Sequence, residues 1–126
     1  YGHDCHNLTV YGGNDADMAL AANTLRDAQG GLCTAENGKV LTLIPLPLAG
    51  LMCDQSPEAL LAQMEQFLAD CRRMGFTHKN LLTFFTLMPL AVSPELKCTD
   101  RGLVDALHKR LLPLIEEIKE ISSDGT

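Results

Sequence analysis

The sequence has no tryptophan, and only two tyrosines and four phenylalanines supply aromatic rings among its 126 residues. It also has no excess of basic side chains, because ten Lys and Arg stand against sixteen Asp and Glu, giving a net charge of -6. Proteins that bind nucleic acid non-specifically need a basic surface, and those that stack bases need aromatic side chains. The composition therefore argues against nucleic acid as a partner.

Long apolar runs are missing as well. No stretch approaches the roughly 20 apolar residues that a membrane-spanning helix needs, and the start lacks the layout of a signal peptide. The cysteines are odd in number and none stands in C-x-x-C spacing, which favours neither a disulfide framework nor a zinc cluster. These absences predict a cytoplasmic protein with no membrane partner. Because the first residue is Tyr1 rather than Met, we expect a piece of a longer protein.

What is present fits one globular domain over residues 1–126, with 46% hydrophobic residues to build a core. Alternating residues in Asn7–Tyr11 predict a strand. A helix is expected to begin at Asn14 or Asp15 and to end at the glycine pair Gly30-Gly31. Asn37-Gly38 between two β-rich runs predicts a hairpin with a type I′ turn.

The second half gives a less regular pattern. Ser56-Pro57 predicts the start of an amphipathic helix that ends near Gly75. The apolar run from Leu81 to Leu87 is interpreted as a buried strand, and residues 93–102 as an irregular segment. Beyond it, leucines and isoleucines at helical spacing are interrupted by Pro113, so either two elements meet there or a strand precedes a short terminal helix. The sum is a small layered α+β or α/β domain with about four strands and two or three helices.

Polar chemistry is densest at the N-terminus, in His3, Asp4, Cys5, His6 and Asn7. Imidazoles beside a carboxylate are typical of metal ligands or of groups that orient them, but two ligands cannot close a metal site that needs three or four. The alternative is local hydrogen bonding at a polar chain end. The residues alone therefore predict no metal site and no complete catalytic constellation, and His3, Asp4, His6 and Asn7 stay as candidates for a substrate or active-site role.

Other polar residues have simpler interpretations. Gly12-Gly13-Asn14-Asp15 could bind an anion at a helix start, but it fits a helix cap better because it lacks the spacing of a dinucleotide- or phosphate-binding motif. Cys5 could be a nucleophile, although nothing nearby supplies an oxyanion hole. Cys71 falls on an apolar stripe and is expected in the core. His78 and His108 are expected to stand alone at the surface.

The motifs, taken together and in order, resemble the C-terminal domain of adenine deaminase, of the amidohydrolase superfamily. They are His3-Asp4-x-His6-Asn7, Gly12-x-Asn14-Asp15-x-Asp17-Met18-Ala19-Leu20-Ala21, Gly30-Gly31, Asn37-Gly38, Pro45–Met52 with Asp54, Pro94–Lys97, and Thr99–Asp105. Cys5 departs from the family's pattern, where a serine is expected, as do Gly13 in place of a threonine and Cys98 in place of an apolar residue.

The resemblance implies hydrolytic deamination of adenine to hypoxanthine and ammonia by an upstream (β/α)₈ barrel that holds manganese or iron. This chain would be an accessory domain without a cofactor of its own, inactive in isolation, whose segment His3–Asn7 helps to shape or close the purine site. The rival hypothesis is a non-catalytic binding module, possibly a homodimer, that docks through Pro45–Met52 and its helical stripes.

Overall fold

The structure is a computed structural model and describes residue 2 and residues 5–115. Over these residues it contains three helices and five strands, which form two small antiparallel sheets. The predicted class, a small mixed α+β fold, is confirmed. The chain divides into two compact units, one over residues 1–89 and one that begins at Leu90.

The first unit is built on the predicted hairpin. Strands β1 (Gly31–Glu36) and β2 (Lys39–Pro45) pair antiparallel, with Glu36 opposite Lys39. Asn37 and Gly38 form the connecting turn with φ of 54° and 72°, which is the left-handed backbone that a type I′ turn requires. The register shifts between Thr34 and Ala35, so the ladder contains a bulge.

Two predicted helices pack on this hairpin. Helix α1 (Asp15–Asp27) begins at Asn14, whose side chain accepts from the amides of Ala16 and Asp17. Helix α2 (Pro57–Arg73) begins at Ser56, whose hydroxyl oxygen accepts from the Ala59 amide. Both helices contact both strands. Both predicted helices are confirmed. Asn and Ser are favoured at the first position because their side chains accept hydrogen bonds from the free amides of the first turn.

The core of the first unit lies between α2 and the hairpin. Its buried apolar side chains are Ile44, Leu46, Phe67, Cys71 and Leu81. Helix α1 contributes none of them, and its apolar stripe is only half-buried. The face of the hairpin toward α2 is therefore well filled, whereas the space beside α1 is not.

Two predictions for this unit are wrong. Residues 81–87 form helix α3 (Leu81–Leu87) rather than a strand, because the Asn80 side chain caps it by accepting from the Thr83 amide. One turn of helix also brings buried Leu81 and half-buried Phe85 to the same side. Asn7–Tyr11 carries no strand, although its residues line one wall of a cleft with β1.

The second unit is a three-stranded meander. It consists of β3 (Leu96–Thr99), β4 (Gly102–Asp105) and β5 (Arg110–Leu112) in that order, each pairing antiparallel with the next. The segment predicted to be irregular thus contains β3, and the helical spacing of the tail begins in strands rather than in a helix. The predicted terminal helix after Pro113 falls mostly outside the described residues.

No helix in the described part of the chain is long and apolar enough to cross a membrane.

Candidate functional site

The N-terminal polar segment is only partly described. His3 and Asp4 lie outside the described residues, so only His6 and Asn7 of the predicted site can be placed. Both are exposed. The His6 amide donates to the Gly2 carbonyl oxygen at 2.8 Å, and His6 has a φ of 54°, a left-handed conformation that non-glycine residues seldom adopt. The backbone therefore turns at His6, immediately before Asn7.

Beside this turn the first unit has a cleft of about 1070 Å³. Its lining includes the chain from His6 to Gly13 and strand β1. Side chains of α1 and of the C-terminal end of α2 flank it, and most of its lining is apolar: Leu8, Val10, Met18, Ala21, Leu25, Leu32, Phe67, Met74 and Phe76. A mostly apolar cleft with a few polar groups at one end is the usual form of a small-ligand site.

Aromatic rings hold Tyr11, a residue of the cleft lining, against α3. The Tyr11 ring stacks on Phe85 with centroids 5.1 Å apart and lies 5.9 Å from Phe84. Its hydroxyl donates to the Phe85 carbonyl oxygen at 3.2 Å. These contacts fix the end of the N-terminal segment to α3, whereas Leu8 near the other end is 59% exposed.

Metal ligands are not assembled in the part of the chain that is described, where no group of three or more His, Cys, Asp or Glu side chains could hold an ion. The described residues therefore supply no ligand set for the manganese or iron that the resemblance implies. Cys5 is half-buried.

A buried carboxylate joins α2 to the hairpin. One Asp70 oxygen accepts from the hydroxyls of Thr34 at 2.9 Å and Thr42 at 2.6 Å, and the other accepts from Gln66. Burial opposes ionisation, but these hydrogen bonds and the nearby Arg73 guanidinium outweigh it, so the pKa of Asp70 is lowered. Asp70 is therefore charged at neutral pH and acts as a structural bridge.

Asp70 was not among the residues predicted from the sequence. A sequence feature that could have identified it is the position of Asp70 between Phe67 and Cys71, on the apolar stripe of α2. Thr34 and Thr42 are also the buried polar residues of the hairpin. A carboxylate on a buried helix face requires hydrogen-bond donors, and inward threonines on the facing strands can supply them.

In the second unit the carboxylate of Asp105 accepts several hydrogen bonds. Asp105, which is 7% exposed, accepts from the amide and the Nδ1 atom of His108, at 3.0 and 2.7 Å, and from Arg110 Nε at 3.3 Å. The His108 amide is the largest influence that lowers the pKa of Asp105. His108 is at the surface as predicted, but the expectation that it stands alone is wrong.

The remaining predicted residues have structural roles. Asn14 is a helix cap, as expected. Asp17 accepts from the amides of Asn37 and Gly38, at 3.0 and 2.7 Å, and so ties α1 to the hairpin turn. Cys71 is 2% exposed, and burial, followed by the adjacent Asp70 charge, raises its pKa to about 11. It is a core residue and not a thiolate nucleophile.

The exposed His78 is also structural. Its Nδ1 atom lies 3.2 Å from the Asn80 amide, and its ring packs on Phe84.

Sequence comparison settles the family. A family model described as "Adenine deaminase C-terminal domain" matches residues 1–110. The chain belongs to this family. The predicted resemblance is thereby confirmed.

Curated members of the family include adenine deaminases from several bacteria. The protein from Clostridium botulinum strain ATCC 19397 is 47% identical over 115 residues, covering 91% of this chain and 19% of that protein. Those from Moorella thermoacetica and Methylobacterium sp. are 43% and 45% identical, over 90% and 89% of this chain. The chain therefore spans about a fifth of the length of the curated relatives it matches, 19 to 20%.

Proposed function

We propose that this chain is the accessory C-terminal domain of a cytoplasmic adenine deaminase, which converts adenine and water into hypoxanthine and ammonia. Membership of the adenine deaminase C-terminal domain family is the observation that carries the proposal. The catalytic residues and the metal, manganese or iron, belong in this proposal to an upstream barrel of the same polypeptide. The isolated domain is then inactive.

The contribution of this domain is to shape or close the purine site through His3, Asp4, His6 and Asn7. Two observations support that role. His6 and Asn7 are exposed at the start of the first unit, so their side chains are available to a neighbouring domain. The turn at His6 is held by its hydrogen bond to Gly2, which limits the directions in which the following residues can point.

Replacing His6 by alanine in the intact deaminase tests this role. If the imidazole makes one hydrogen bond at the purine site, its loss should lower kcat/KM for adenine roughly tenfold, the effect of about 1.4 kcal/mol. The melting temperature should stay close to that of the wild type, because His6 is exposed.

The matched control is His78→Ala, which removes another exposed histidine of the same unit. It should leave kcat/KM close to the wild-type value. Equal kinetics for the two variants would contradict a role of His6 at the purine site, while leaving the family assignment untouched.

A second candidate function is docking or dimerisation through the segment Pro45–Met52, here called the docking loop. Leu48 and Met52 are 50% and 61% exposed although both are large and apolar. The loop is nonetheless well held, because these two residues hydrogen-bond to each other in both directions.

Sedimentation of the intact protein separates this function from the first. Leu48→Glu should dissociate an assembly that uses the docking loop, while a monomer at every concentration in the unmodified protein would exclude self-association. Loss of an assembly without loss of kcat/KM would identify the docking loop as an assembly surface only.

A further inference from the structure

The cleft of the first unit lies beside β1, where a further strand of the hairpin sheet could fit. Its lining contains β1 along one side, α1 residues such as Met18 and Ala21, and α2 residues such as Phe67 and Cys71. The side chains of Thr34 and Thr42 point to α2, where they bond Asp70. Because side chains alternate along a strand, Cys33 points to the opposite face of the hairpin, away from α2. The cleft therefore continues the hairpin sheet sideways between two layers of helix.

The segment Asn7–Val10 has the composition and position to fill that space. It alternates between polar and apolar residues, it belongs to no helix or strand, and it lines the cleft together with β1. Among the described residues no backbone hydrogen bond joins it to Leu32–Ala35. A two-stranded hairpin is only marginally stable, and a third strand would extend it.

Connectivity fixes the direction of such a strand. The segment is followed by α1, which packs on the hairpin and leads directly into β1. Helix α1 has 13 residues and spans about 20 Å, enough to return the chain to the level at which the segment began. A strand, a helix and a strand connected in this way lie parallel.

The start of the segment can act as a hinge, whereas its end is held where Tyr11 stacks on Phe85. His6, immediately before the segment, is in a left-handed conformation. Hinges of this kind are a few loop residues that absorb changes in φ and ψ.

We propose that Asn7–Val10 is a strap that closes onto the free edge of β1 between Leu32 and Ala35, forming a third, parallel strand between α1 and α2. Tyr11 stacks on Phe85 next to the α2 layer, so alternation directs Thr9 to that layer, and Leu8 and Val10 to α1. Closure buries Leu8 and Val10 against Met18 and Ala21 and draws His6 and Asn7 toward the end of β1. This inference does not depend on the proposed function.

Disulfide trapping tests the closed state. In a parallel arrangement Leu8 or Val10 lies beside Cys33 on the α1 face, within the 4.4–6.8 Å between Cα atoms that a disulfide spans. Leu8→Cys and Val10→Cys are oxidised separately, and the bonded peptides are identified by mass spectrometry. At least one of the two should bond Cys33 within a single chain. Thr9→Cys, the matched control on the opposite face, should do so at least tenfold less.

Three results would overturn the proposal: no bond to Cys33 from either position, equal bonding from Thr9→Cys, or a bond that joins two chains. The last result would mean that a strand of a second copy occupies the cleft.

Hydrogen exchange of the unmodified chain gives a measurement that needs no substitution. If the strap is closed in solution, amides of residues 8–10 should exchange at least about tenfold more slowly than in an unstructured peptide of the same sequence, because ladder amides exchange only after local opening. Exchange at the rate of the peptide would overturn the proposal even if a disulfide can be trapped. Adenine deamination is not measured, so failure here is distinct from failure of the proposed function.

Discussion

Asp70 is the residue on which the packing of α2 against the hairpin depends most. It is 5% exposed and receives hydrogen bonds from two strands and from its own helix. Arg73, one turn further along α2, also pairs with Glu36 at the end of β1. A buried charge is tolerated only when its hydrogen-bonding capacity is filled, and here the donors come from the elements that must be held together.

Asp70→Asn should lower the free energy of unfolding by about 1–3 kcal/mol at neutral pH. An asparagine can accept from the two threonines with its oxygen, but its NH₂ group then faces Gln66 and Arg73, which are donors. Urea denaturation measures the loss. Asp27→Asn, at an exposed carboxylate that pairs with Arg26, is the control and should change stability by less than about 0.5 kcal/mol.

The same residue predicts a pH dependence. The pKa of Asp70 is lower in the folded chain than its ordinary value of 3.8, so its stabilisation is complete above the unfolded pKa. It is lost as the pH falls below about 4 through the folded pKa. The stability difference between wild type and Asp70→Asn should therefore shrink below about pH 4. A difference that stays constant from pH 6 to pH 3 would contradict this role of the charge.

At the level of elements, the close contact between β1 and β2 depends on Gly31. Its φ is 143°, and a Cβ there would lie 2.1 Å from the Ile44 carbonyl oxygen. Gly31→Ala should destabilise the first unit by more than about 2 kcal/mol, since both the backbone conformation and the contact forbid a side chain.

Gly13→Ala is the matched control, because a Cβ at Gly13 meets nothing within 4 Å. Thermal unfolding of the two variants checks the prediction. A Gly31→Ala protein as stable as Gly13→Ala would show that β1 and β2 can separate enough to admit a methyl group.

The elements that the sequence predicted correctly are those with local signals. Asn37-Gly38 determines its own turn, and Asn14 and Ser56 begin α1 and α2 through hydrogen bonds made within three residues. The element at 81–87 was mispredicted because a seven-residue run of five apolar residues and two threonines carries no periodicity that separates a buried strand from a helix. Two interactions favour the helix: the Asn80 cap, which is local in sequence, and the burial of Leu81 in the core. Only the burial of Leu81 depends on the rest of the fold.

The site was predictable to a smaller extent. The sequence motifs identified the family. The cleft, however, forms where α1, β1 and α2 meet, and no local sequence pattern predicts how these elements pack. Asp70 with its threonines is likewise a contact between residues 36 and 28 positions apart. The tail was left open, between two elements that meet near Pro113 and a strand before a short terminal helix, because leucines in β4 and β5 also fall at helical spacing.

At the scale of the whole molecule, the chain is one part of a larger functional unit in our proposal. It corresponds to about 19% of its relatives, and its most polar segment lies at the end of the first unit. A polar segment in that position suits a domain that performs its function together with a neighbouring domain.

In our proposal the N-terminal segment adjoins the purine site, and the reactivity of Cys5 reports on that position. In the intact deaminase the alkylation rates of Cys5 and Cys98 are measured by mass spectrometry with and without saturating adenine. Cys5 is half-buried within the segment, whereas Cys98 is exposed on β3 and serves as the internal control. We predict that adenine slows alkylation of Cys5 several-fold and leaves Cys98 unchanged. A Cys5 rate that adenine does not alter would contradict the account.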